Sequence, residues 1–135
     1  MITLHSSSPT ATHAIAGAIA RLVRAGDLIV LAGEIITATT PDDARAQVAK
    51  VAATRPDIIK IRVDDNLGTV AKMPPAVYTA VIDEAHRRGL RVAAHIFYLD
   101  DAKGLLRAGV DAIAHIVRDK DIDDEFISLM KARNV

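Results

Sequence analysis

The sequence of 135 residues contains no cysteine and no tryptophan. Without cysteine, disulfides and thiolate metal sites are excluded. Aromatic residues make up 3% of the chain against 50% hydrophobic residues, so a core must be built from Ala, Val, Ile and Leu. That palette is common where parallel strands are covered on both faces. There is no excess of either charge: 17 basic residues balance 17 acidic ones. A neutral surface argues against nucleic acid or an anionic membrane as partner. No apolar run approaches the roughly 20 residues that span a bilayer. The start, MITLHSSSPT, lacks the basic residues and long apolar stretch of a secretory signal. The expectation from these absences is a soluble, cytoplasmic protein. Also absent are a GxSxG nucleophile elbow, an HExxH zinc motif and a complete P-loop.

What is present is an alternation of helical and strand-like segments. PTATHAIAGAIARLVR (9–24) reads as a helix, with Ser8 as its cap, Pro9 in its first turn and Gly26 as its stop. DLIVLAG (27–33) reads as a buried strand, and EIITATT (34–40) extends it or forms a second short one. Thr40 caps a helix that opens on Pro41, Asp42 and Asp43, the residues favoured at a helix N-terminus. DIIKIRVDD (57–65) is a strand, and NLGTVAKMPP (66–75) a loop. A helix then ends at Gly89, LRVAAHI (90–96) is a strand, a further helix ends at Gly109, VDAIAHI (110–116) is a strand, and DIDDEFISLMKARN is a last helix. This order implies successive βα units. The expected fold is a single α/β domain over 1–135. Its sheet is mainly parallel, of four or five strands, partial TIM-barrel or Rossmann-like, with an N-terminal helix.

Chemistry concentrates in three residues. The runs VAAHI and AIAHI each end in a histidine, His95 and His115, one helix apart. Side chains alternate along a strand. That alternation predicts Lys60, His95 and His115 converging at the carboxyl ends of neighbouring strands, with Ile58, Ala93 and Ile113 beneath them. Sites in parallel sheets form at those ends. Two neutral imidazoles suit zinc or a similar divalent ion. A histidine near a strand end is also commonly just a polar rim residue. Lys60 is stranger, because an ammonium amid apolar neighbours is costly unless paired. It can find a carboxylate, snorkel to the rim, or become a carbamate that bridges two metals. Asp64 and Asp65 end a strand, where carboxylates more often cap loops than bind metal. His5, His13 and His86 are expected to be solvated.

TPDDARAQV, DIIKIRVDD, IDEAHRRGLRVAAHI, AKGLLRAGVDAIAH and DDEFISLMKARNV occur in the order and spacing of a known family. Residues from about 35 to 135 resemble metal-dependent amidohydrolases of the imidazolonepropionase and prolidase-like type. The resemblance implies a (βα)8 barrel, with Lys60 matching a lysine that bridges two metals, often as its carbamate. His95 and His115 match histidine ligands on the next two strands. It also implies an HxH pair on the first strand and an aspartate base on the eighth. No HxH occurs in this sequence, and the chain stops after the sixth strand and its helix.

SSSPTATHAIAGAIARLVRAGDLIVLAGE (6–34) resembles the start of a P-loop ATPase of tRNA threonylcarbamoyladenosine synthesis. The phosphate loop that should follow Glu34 is replaced by IITATT, so ATP binding is not expected. Two partial resemblances joined near residue 34 suggest a chimera made by recombination or design. The reading favoured by the sequence is thus a fold-recombination product with no intact active site. It requires no cofactor, and closes its sheet by its first helix or as a homodimer. The alternative is a metal-binding remnant, or an amidohydrolase completed by oligomerisation, with Lys60, His95 and His115 holding zinc.

Overall fold

A computed structural model describes residues 35–135, together with Ser8, Thr10, Ala11, His13, Ala14 and Ile15. The elements run β1 (Ile35–Ile36), α1 (Pro41–Ala52), β2 (Ile58–Arg62), α2 (Pro75–Arg87), β3 (Arg91–His95), α3 (Leu99–Ala108), β4 (Ala112–Ile113) and α4 (Asp124–Arg133). The four strands form one parallel sheet in the order β1-β2-β3-β4. The α/β class and the successive βα units are therefore as the alternating segments predict. Of the first expected helix, Thr10, Ala11 and residues 13–15 are helical. Ser8 accepts the Ala11 N–H at 3.1 Å, as a cap does. The strand expected at 27–33, the stop at Gly26 and most of the P-loop-like segment lie outside the described residues.

Local signals set the element ends. Thr40 Oγ1 accepts the Asp43 N–H at 3.2 Å and Pro41 occupies the first turn of α1. Asp123 Oδ1 accepts the Phe126 N–H at 3.0 Å at the start of α4. Gly109 ends α3 in the left-handed region, at φ 98°, which costs little without a Cβ.

Strand register divides the sheet into two unlike faces. Ile36, Ile61, Ala94 and Ile113 are laterally aligned, as are Ile35, Lys60, Ala93 and Ala112. The first set, with Ile59, Val63, Val92 and Ile96, lies on the side where the helices pack, and most of it is fully buried. Val48, Val77, Val81, Ile82, Leu105 and Leu106 meet it from the helices. Right-handed crossovers between strands in simple order place successive helices on one side. The second set belongs to the other face, where Ile35 is 53% and Ile58 39% exposed. Helices α1–α4 pack on the opposite side.

This register corrects one detail of the predicted site. Ile113 pairs with Ala94, so it belongs to the helix-covered side and not beneath Lys60 and His95; Ala112 takes that place. The reason is that β4 is only two residues long, so the alternation does not continue to His115.

Two clasps join α3 to its neighbours. Gly104 lets α3 approach α2 so closely that a Cβ there would lie 2.5 Å from the Tyr78 hydroxyl. Lys103, buried, donates to Asp123 Oδ2 at 2.5 Å and Glu125 Oε2 at 2.9 Å. The hydrogen bond to Asp123, then that to Glu125, raise its pKa. His86 is not simply solvated: its Nε2 lies 2.9 Å from Asp111 Oδ2, which also accepts the Val92 N–H at 2.7 Å. His13 is exposed, as expected.

One-sided burial has a direct test. Ile59→Ala should cost about 2–5 kcal/mol, the usual range for emptying a packed site. Ile58→Ala, one residue away on the open face, should cost less than about 1 kcal/mol. Urea unfolding of both variants measures the difference. Equal losses would mean that both faces are covered.

Candidate functional site

The carboxyl ends of β2, β3 and β4 lie side by side, and the polar residues of the sheet gather there. His95 is the last residue of β3 and lies level with Arg62 on β2. Beyond β4 the Ala114 N–H donates to the Ala94 carbonyl at 2.9 Å, and the chain then bends at His115. Strict alternation would send His115 toward the helices. The bend instead brings its ring to His95, with centroids 4.3 Å apart and planes at 71°. Edge-to-face packing of this kind is favourable for aromatic rings.

Lys60 sits two residues before Arg62 on the same face and makes no ion pair with a described residue. Burial lowers its pKa. The pKa of His115 is also lowered, by burial first and then by the charges of His95, Lys60 and Arg118, with Asp64 opposing. All three residues singled out in the sequence are thus brought into one electrostatic neighbourhood. A lowered His115 pKa favours the neutral imidazole, the form that binds metal. A lowered Lys60 pKa favours the free amine, the form that a carbamate requires.

Asp64 is the residue that sequence reasoning undervalued. It stands just past β2 and is 5% exposed. Its Oδ2 lies 2.6 Å from His95 Nε2. Its Oδ1 accepts from Arg62 Nε at 2.9 Å and from the Asn66 N–H at 3.1 Å. The last bond is the loop-capping role that strand-end aspartates usually play. Burial alone would raise its carboxyl. The Arg62 and Asn66 hydrogen bonds and the charges of His95 and Arg62 hold it below the ordinary carboxylate range.

The rim around this cluster is tied down. Tyr98 donates to Asp65 Oδ1 at 2.8 Å. Lys72 lies 3.7 Å over the Tyr98 ring and 2.9 Å from Asp101 Oδ2, anchoring the 66–74 loop to α3. Asp65 is therefore occupied by Tyr98 and is not turned to the histidines. Arg118 stacks on Phe97 at 5.0 Å, and its N–H donates to the Phe97 carbonyl at 2.9 Å. Among the described residues, no three His, Cys, Asp or Glu side chains group as a metal site by themselves. No helix among them is long and apolar enough to cross a membrane.

No protein-family model matches the chain. It is 32% identical over 119 residues to uncharacterized proteins of Mycobacterium tuberculosis and Mycobacterium bovis, covering 82% of this chain and 31% of theirs. The chain therefore spans about a third of the length of the curated relatives it matches. Among solved structures it is similar to a Bifidobacterium longum protein assigned as a prolidase, at 31% identity and a TM-score of 0.59. That match covers 81% of this chain and 26% of the other. A Xaa-Pro dipeptidase with methionine bound in its active site shares the fold at 23% identity and a TM-score of 0.59, covering 82% of this chain and 29% of that one. The described chain is thus an amidohydrolase-like α/β unit, matching about a quarter of the solved proteins it resembles.

The Asp64 contacts predict a pH signature. A folded carboxyl that titrates below its unfolded range adds stability above the ordinary carboxylate pKa. That contribution is lost as pH falls through the folded value. Asp64→Asn should therefore lower the urea midpoint above about pH 5, and the two proteins should converge in acid. A gap that stays constant from neutral to acid pH would show that the charge on Asp64 contributes nothing.

Proposed function

We propose that the chain carries a divalent-metal half-site of the amidohydrolase type, made by Lys60, His95 and His115, and that this half-site does not hydrolyse amides by itself. The observation that supports it best is the meeting of two imidazoles, 4.3 Å between centroids, at adjacent strand ends beside a lysine with a lowered pKa. The donor set fits a borderline ion such as zinc: two imidazoles, and an oxygen donor if Lys60 takes up carbon dioxide. A zinc ion there would supply Lewis acidity for opening an amide. The chain's own part is to hold the two rings together and keep His115 neutral. The likeness to a prolidase-like protein supports amides or dipeptides as the substrate class of a completed site.

Completion must come from elsewhere. The sequence has no HxH pair, and the described residues offer no third imidazole or free carboxylate at the cluster. A second copy laid against the open face of the sheet would bring two half-sites together, in a homodimer with closed point symmetry. A strictly monomeric protein at high concentration in sedimentation would sink that assembly.

The chimera expected from the sequence is the other reading, with a P-loop-ATPase-like start joined near Glu34. Residues 35–135 are about three quarters of the chain, yet the alignment to the mycobacterial proteins covers 82% of it. The similarity to those uncharacterized proteins therefore runs upstream of Ile35.

The test is metal content after zinc exposure and desalting. About one zinc per chain or per dimer is expected, and it should be lost in His95→Ala/His115→Ala. Absence of zinc from the unmodified protein would leave a fold without metal chemistry.

A further inference from the structure

The two imidazoles lie between the same pair of rungs. Before them the Ala114 N–H donates to the Ala94 carbonyl at 2.9 Å, and after them the Arg118 N–H donates to the Phe97 carbonyl at 2.9 Å. We propose that Asp119 is a positioning residue: bound to the start of α3, it sets where the segment beyond β4 carries His115, and so holds the two rings edge to face. The zinc arm of its test rests on the half-site reading of the histidines; the ring-contact arm does not.

Ala114 and Ile116, on either side of His115, are exposed, so the core does not place this stretch; its ends do. One end is the rung at Ala114. The other is a clasp along the start of α3. Tyr98, the N-cap of α3, gives that helix no side-chain cap bond. Asp119 supplies it from 20 residues away: its Oδ1 accepts the Leu99 N–H at 2.9 Å. Leu99 is 2% exposed, and a buried N–H without a partner is costly. The dipole of α3 also favours a carboxylate at that end. Both effects specify the bond strongly. Around it, Val117 packs against the core, the Arg118 guanidinium lies 5.0 Å from the Phe97 ring centroid, and Lys120 reaches Asp100 at 3.1 Å. Residues 117–120 are thus tied along 97–100. α3 starts four residues after His95, and Asp119 lies four residues after His115. The bond therefore joins the two histidine segments at equal distances along the chain. Backbone rungs are open to most sequences, whereas this cap needs an acceptor side chain at position 119. The meeting of the rings, 4.3 Å between centroids, then depends on that side chain.

The experiment is proton NMR of the full chain in slightly alkaline solution, reading the through-space contact between the His95 and His115 rings, with a zinc titration alongside. The unmodified protein should show the contact. Asp119→Ala leaves the Leu99 N–H without its acceptor, so the contact should be lost, and zinc affinity should fall about tenfold, the lower end for an outer-shell partner. Asp119→Asn keeps an oxygen that accepts the same N–H, so it should retain both. Thr40→Ala removes a cap of the same kind from α1, which follows β1 at the opposite edge of the sheet, and should leave the ring contact unchanged. A contact that persists in Asp119→Ala overturns the inference, whatever the zinc result. So does its loss in Asp119→Asn or in Thr40→Ala, or its absence from the unmodified protein, which needs no variant to be folded. Loss in Asp119→Ala with retention in Asp119→Asn, while zinc is bound by none of the proteins or by all of them equally, supports the positioning role and overturns the metal half-site instead.

Discussion

Burial on one side of the sheet is the constraint from which the rest follows. Ile36, Ile59, Ile61, Val92 and Ala94 are 0–1% exposed because successive helices return to the same side of a parallel sheet. Alternation then leaves Ile35, Lys60, Arg62, Ala93 and His95 no choice but the other side. A register slip of one residue in β2 would exchange the two sets, burying Lys60 and Arg62 among Val and Ile. The cost of such burial makes the register strongly specified. The positions of the candidate ligands are therefore a consequence of how the core is packed, and need no separate device.

The strand ends add what alternation cannot. β4 contributes two residues and then bends, and that bend is what returns His115 to the face carrying His95. Its ring arrives in a place already shaped by Asp64, Arg62 and the His95 backbone. The 66–74 loop is tied to α3 by Lys72, through Tyr98 and Asp101. The rim is thus built from loops fixed at both ends, on a rigid sheet. This is the usual division of labour in parallel α/β folds, where the sheet supplies rigidity and the loops beyond its carboxyl ends supply chemistry.

Much of this was readable in the residues. Thr40 followed by Pro41, Asp42 and Asp43 announces α1, and Gly109 closes α3, because capping chemistry is local. The two histidines were legible as a pair from their matched places in VAAHI and AIAHI. The route by which they meet was not. Extending alternation through 110–116 puts Ile113 under the site, whereas its pairing with Ala94 assigns it to the helices. Asp64 was legible only in its local role, the bond to Asn66, two residues away. Its pairing with His95 spans 31 positions of sequence and depends on strand order and register, which periodicity does not carry. The His86–Asp111 pair is hidden for the same reason.

Charge gives the cluster its remaining logic. Around the two rings the cations Lys60, Arg62 and Arg118 stand against the carboxylate of Asp64. Asp64 is already shared between Arg62 and His95, so Lys60 is left without an anion of its own among the described residues. Burial pushes Lys60 toward its neutral form, and burial first, then the neighbouring charges, does the same for His115. A carbamate on Lys60, as in the proposed half-site, would replace a positive charge by a negative one. The neighbourhood would then hold two anions against Arg62 and Arg118, with His115 neutral. Burial thus lowers the pKa of both residues, and the charge of Lys60 adds to it only at His115.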